Sequence, residues 1–184
     1  MSKCFLLFAA VAAVVIGCAR SGWSGEERPT GYGLGQPPTE EEIRAWNIDI
    51  SPDGTGLPPG QGMVEQGAQV YSAKCAKCHG ATGTEGPFDV LVGGQGTLKT
   101  AKPIKTIGSF WPYATTLYDY IHRAMPFDAP QSLTPDEIYA VIAWLLHRNG
   151  LISAETVIDA NRLPLIEMPN RLGFFPDPRP DVHQ

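Results

Sequence analysis

Charge is scarce in this sequence and a basic excess is absent: 18% of residues are charged and the formal net charge is −5. That excludes binding nucleic acid through bulk positive charge. No apolar run crosses a bilayer, since the longest, residues 5–16, falls short of the ~18–20 residues a spanning helix needs. There is no internal repeat, and no stretch alternates apolar and polar residues convincingly with period two. Cysteine is down to four, Cys4, Cys18, Cys75 and Cys78. In an exported protein that even count suggests two disulfides by default. Turn formers are what the chain has in quantity: 20 glycines and 17 prolines in 184 residues. The reading is one all-α domain with long loops and tails.

The cysteine default fails first at the N-terminus. Lys3 precedes the apolar run, which ends in Gly17-Cys18. A positive start, a dozen apolar residues and a small residue at their end describe a bacterial export signal. The end Val15-Ile16-Gly17-Cys18 resembles a lipoprotein signal, in which the cysteine is acylated; an ordinary signal peptide or an uncleaved anchor stays open. On the lipoprotein reading residues 1–17 leave, Cys4 with them, and the net charge goes from −5 to −6 as Lys3 is lost. The expectation is a membrane-tethered protein on the periplasmic side, or a soluble periplasmic one, in an oxidising compartment.

Residues 18–60 read as a flexible tether or arm, rich in Gly, Pro, Ser and Glu. Within them residues 40–48 can form a short helix behind Thr39, whose Ile43, Trp46 and Ile48 would pack on something. Residues 61–150 read as the domain. Val64, Ala68, Tyr71 and Cys75 fall on one stripe of a helix. Residues 115–124 form a second helix, stopped by Pro126. Thr134, Pro135 and Glu137 open a third as N-cap, first-turn proline and capping box, and Asn149-Gly150 ends it. Residues 151–184 are a Pro-rich arm that packs on the domain or on a partner. The acidic excess belongs to the flanks: residues 66–127 hold six Lys or Arg against three Asp or Glu.

Cys75-Ala76-Lys77-Cys78-His79 is a Cys-x-x-Cys-His haem-attachment sequence. Two thiols three residues apart add to the two vinyl groups along one haem edge, and the adjacent histidine is delivered to the iron. A zinc site would need a second ligand pair at metal spacing, but His122, His147 and His183 are scattered. A thioredoxin-type pair wants a βαβ context, which is missing. One motif implies one haem c, covalently held by Cys75 and Cys78 with His79 on the iron.

A thioether as second axial ligand favours ferrous iron and raises the potential. Met125, in Arg123-Ala124-Met125-Pro126-Phe127, sits where a proline ends a helix and aims the side chain, so it is the expected ligand; Met168 and His122 are its rivals. The carbonyls of Gly86 and Pro87 are candidates to accept the His79 Nδ1 proton. Trp111, Tyr113 and Arg123 are candidate donors to the haem propionates. Tyr71 and Trp144 are candidate aromatic contacts between the first and last helices. Lys74, Lys77, Lys99, Lys102 and Lys105 suggest a basic docking rim near the haem.

On these residues residues 61–150 resemble a class I cytochrome c: the helix with Gly67 and Tyr71, the Cys75-x-x-Cys78-His79 motif, Met125-Pro126 and the capped helix with Trp144. Trp111-Pro112-Tyr113-Ala114-Thr115-Thr116, Arg123-Ala124-Met125-Pro126-Phe127 and Met168-Pro169-Asn170-Arg171 are similar to cytochrome subunits of bacterial sulfite and sulfane dehydrogenases. That resemblance implies three to four helices around one haem. It also implies a molybdenum-cofactor dehydrogenase subunit as electron donor and a downstream cytochrome or oxidase as acceptor. The function expected is one-electron transfer without catalysis by this chain. Two other classes stay open: a haem enzyme or gas sensor with a displaceable sixth ligand, and a structural subunit of a larger redox complex.

Overall fold

The computed structural model describes residues 34–179. The signal segment and the lipidation candidate Cys18 lie outside the described residues. The chain divides into two units between residues 39 and 40. Of the first, residues 34–39 are irregular and exposed.

The second unit is assembled around one helix. It comprises helices α1 (Glu40–Trp46), α2 (Val64–Lys74), α3 (Ala76–His79), α4 (Thr115–Ala124) and α5 (Pro135–Arg148), with strands β1 (Gln61–Met63) and β2 (Val157–Asp159). Helix α5 starts as its sequence dictates: the Glu137 amide donates to Thr134 Oγ1 at 3.3 Å, and the Thr134 amide donates to Glu137 Oε2 at 2.8 Å. It carries nine consecutive buried residues, from Ile138 to Leu146. A stripe alone would bury one face; here α2, α4, β1 and β2 cover it from several sides.

Glycine sets the closest of these approaches. A Cβ on Gly67 would lie 1.9 Å from the Ala140 carbonyl oxygen, and one on Gly62 would lie 2.1 Å from the Ala140 nitrogen. Both α2 and β1 therefore run against the backbone of α5. The β1–β2 pair is antiparallel, with Gly62 opposite Ile158, which is fully buried. Three-residue strands are too short to show an alternating pattern, which is why the sequence displays none.

The segment read as a tether is fastened before the domain begins. The Ile50 amide donates to Asp119 at 3.0 Å, the Thr115 hydroxyl to the Pro52 carbonyl at 3.1 Å, and the Tyr139 hydroxyl to the Pro58 carbonyl at 2.8 Å. Helix α1 forms where expected, yet it buries no residue and leaves Trp46 85% exposed, so the packing anticipated for Ile43 and Trp46 is not supplied. Seven residues with three glutamates in the first turn present too little apolar face to dock.

On the C-terminal side, Leu163 and Met168 enter the core. Asn170 Nδ2 donates to the Phe110 carbonyl at 2.7 Å, and Phe174 meets Phe110 edge-on with ring centres 5.3 Å apart. Leu163, Met168, Asn170 and Phe174 thus pack on the rest of the fold. Among the described residues no helix is long and apolar enough to cross a membrane.

Candidate haem-binding site

Helix α2 ends at Cys75, whose amide donates to the Tyr71 carbonyl at 2.9 Å. The next turn is one tight loop: the amides of Cys78 and His79 both donate to the Cys75 carbonyl at 3.0 Å. Both thiols are free and half-buried. Burial, and then the neighbouring Cys78, pushes the Cys75 thiol up to about 11, so it stays protonated before any thioether forms. Among the described residues no three His, Cys, Asp or Glu converge to hold a metal ion unaided.

His79 Nδ1 donates to the Asp89 carbonyl at 2.8 Å, leaving Nε2 as the ring nitrogen free for iron. The acceptor expected at Gly86 or Pro87 is thus corrected to Asp89. Residues 80–86 fold back first: Phe88 donates its amide to the Cys78 carbonyl at 3.2 Å, and Gly86, at φ 116°, lies where a Cβ would meet Cys78 O at 2.6 Å. The carbonyl that reaches the imidazole is consequently displaced along the chain. Glu85 stabilises this turn, accepting from the Thr82 and Thr84 amides, each at 3.1 Å.

Tyr71 ties helix α2 to the turn, its hydroxyl donating to the Gly80 carbonyl at 3.0 Å. Its ring stacks on Trp144 at 3.9 Å, the aromatic contact anticipated between first and last helices. Asn149 pins the loop that follows: it accepts from the Gly93 amide at 3.0 Å and donates to the Leu91 and Leu145 carbonyls. Its sequence signal was merely that of a helix end.

Met125 is the C-cap of α4, extended and half-buried, packed against the hydrophobic core. Met168 is 1% exposed inside that core. His122 has a buried Nδ1 with no partner. Three residues beyond Met125, Asp128 pairs with Lys77, which stands between the two cysteines. That pair brings the Met125 loop to the attachment turn, across 51 residues of sequence. The sequence reading missed Asp128, because nothing in its neighbourhood marks it.

The propionate candidates are dispersed in role. Arg123 is committed to Asp49 at 2.6 Å and Asp119 at 3.0 Å. Tyr113 lies beneath the Arg171 guanidinium, 4.2 Å from its ring centre, and Trp111 meets Tyr120 edge-on. Of the lysines proposed as a docking rim, Lys77 is neutralised by Asp128 and Lys105 lies over the Phe110 ring.

The donor set fits a covalently attached haem: two free thiols and an anchored imidazole in one turn, with a half-buried thioether on a loop tied to that turn. Residues 62–145 match the family described as cytochrome c oxidase, cbb3-type, subunit III. The crystal structure of the sulfane dehydrogenase SoxCD from Paracoccus pantotrophus contains a chain with 43% identity and a TM-score of 0.76. The match covers 82% of this chain and 75% of that one, so it extends well past the helical domain into its flanks. No curated protein sequence matches.

Proposed function

We propose, from the premise that this chain belongs to the class I c-type cytochromes, that it relays single electrons from a sulfur-compound dehydrogenase. Its likeness to the cytochrome subunit of sulfane dehydrogenases supports that donor. As a c-type cytochrome it is an electron-transfer haem protein. The observation that carries the assignment is the single turn in which Cys75 and Cys78 lie free beside an imidazole oriented by the Asp89 carbonyl.

Bound there, haem c supplies a one-electron ferric/ferrous couple. The residues do the rest. Cys75 and Cys78 would hold the group through thioether bonds, and the Asp89 carbonyl keeps the His79 proton on Nδ1, so that Nε2 would be the nitrogen offered to the iron. Met125 would give the iron a thioether ligand, which favours the ferrous state. The electron donor would be a molybdenum-cofactor subunit, with a downstream cytochrome or oxidase taking the electron. Lipid on Cys18 would tether the protein at the periplasmic face of a membrane; a soluble periplasmic form is the alternative.

Holoprotein mixed with such a dehydrogenase and its sulfur substrate should be reduced within the dead time or over a few turnovers. Failure of a competent dehydrogenase to reduce it overturns the donor. Ferric holoprotein should show the red charge-transfer band of a thioether–iron bond, lost in Met125→Ala. Loss in Met168→Ala instead, or rapid cyanide binding by the native protein, would overturn the ligand assignment.

A further inference from the structure

The loop after Met125 has few ties of its own. Pro126 and Leu133 are buried at its ends, and Ala129 donates its amide back to the Pro126 carbonyl. Among the described residues Asp128 is the one side chain from 125 to 133 that hydrogen-bonds another element. Its partner is placed with unusual definition. Lys77 stands between Cys75 and Cys78, so once both cysteines are bonded to one rigid group its Cα cannot wander.

We propose that Asp128 is a positioning residue, and that its ion pair with Lys77 is a clasp holding the Met125 loop against the haem-attachment turn. This rests on the reading of Met125 as the second axial ligand. An exposed pair adds little to global stability, and both side chains here are more than half exposed. A loop opening is a smaller event than unfolding, and the clasp opposes it directly. Moving the loop off the turn requires Asp128 to leave Lys77, while the exposed residues 127–132 give up little packing of their own. Lys74, one turn before the attachment sequence, also acts on Asp128 through its charge, but only Lys77 is bonded to it.

The test is stopped-flow binding of imidazole to the ferric holoprotein, because a neutral ligand is not steered by the charges being changed. Asp128→Asn and Lys77→Gln should each accelerate binding by roughly two- to fivefold, the range an exposed pair supplies. The double variant should be no faster than either single one, and the swapped pair Lys77→Asp/Asp128→Lys should return toward the native rate. Added salt should accelerate the native protein and leave Asp128→Asn unchanged. Hydrogen exchange of the 126–133 amides should rise in the single variants in parallel. Unchanged rates in both, or a swap as fast as the singles, overturns the clasp. The axial assignment fails separately: the red band then survives Met125→Ala, whatever Asp128→Asn does.

Discussion

The ring of Tyr71 lies on the ring of Trp144, centres 3.9 Å apart and planes 27° from parallel, where α2 crosses α5. The same tyrosine sends its hydroxyl to the Gly80 carbonyl at 3.0 Å, so one side chain joins the helix crossing to the end of the attachment turn. The two roles separate by substitution. Tyr71→Phe keeps the stack and should cost about 1 kcal/mol, the usual net worth of one hydrogen bond. Trp144→Ala removes the stack and should cost about 3–5 kcal/mol. Denaturant unfolding of the holoprotein reads both, and equal losses would mean that the hydroxyl matters as much as the ring.

That crossing depends on Gly67. A methyl there would fall 1.9 Å from the Ala140 carbonyl oxygen and 2.8 Å from Trp144 Cβ. Ala140 backbone and the Cβ of Trp144 are both fixed to α5, so neither is a flexible neighbour that could yield. Gly67→Ala should therefore cost more than the ~1–3 kcal/mol of ordinary core overpacking. Expression with the haem-attachment machinery should give little holoprotein, read from absorbance per unit of protein. A normal yield would show that α2 can shift along α5.

Local signals carried the helices and the attachment chemistry. The capping box at Thr134, the proline after Met125 and the Cys-x-x-Cys-His spacing are each written within a few adjacent residues, so they are legible without the fold. Asp89, Asp128 and Asn149 act through partners 10, 51 and 56–58 residues away, and no local pattern marks a residue for such a bond. The fastening of residues 48–60 escapes the sequence for a related reason. Residues 48–60 hold just three large apolar side chains, Ile48, Ile50 and Leu57, in no periodic pattern; Ile50 and Leu57 pack against the core, and the segment is further fastened through backbone groups, the Ile50 amide and the Pro52 and Pro58 carbonyls. Composition does not record where a backbone group finds its partner.

The turn behind His79 should confer a pH dependence through Glu85. Hydrogen bonds from Thr82 and Thr84 hold its carboxyl down to about 2, against an ordinary 4.5. A carboxyl depressed in the folded state stabilises fully above its unfolded value and loses that contribution as pH falls through the folded one. The native protein should thus be more stable than Glu85→Gln at neutral pH, with the difference shrinking below about pH 4.5 and gone by about pH 2. Urea midpoints at several pH values check this. A gap between the two proteins that does not change with pH would show that Glu85 acts by shape alone.

Met168 and Met125 are both apolar thioethers near the core, and their burial separates them. Met168 is 1% exposed among Leu163, Ile158 and their neighbours, a side chain already surrounded by protein. Met125 is half-buried at a helix end, with one side packed and the other open. A side chain enclosed by protein has no face left for a second group, so Met168 should behave as packing. Met168→Ala should then cost about 2–5 kcal/mol by opening a cavity, while Met168→Leu, which conserves volume, should cost under ~1.5 kcal/mol. Both variants should keep the red thioether–iron band at native intensity. If Met168→Leu is stable and the band disappears, the buried thioether is the ligand and the C-terminal arm, not the Met125 loop, closes the haem.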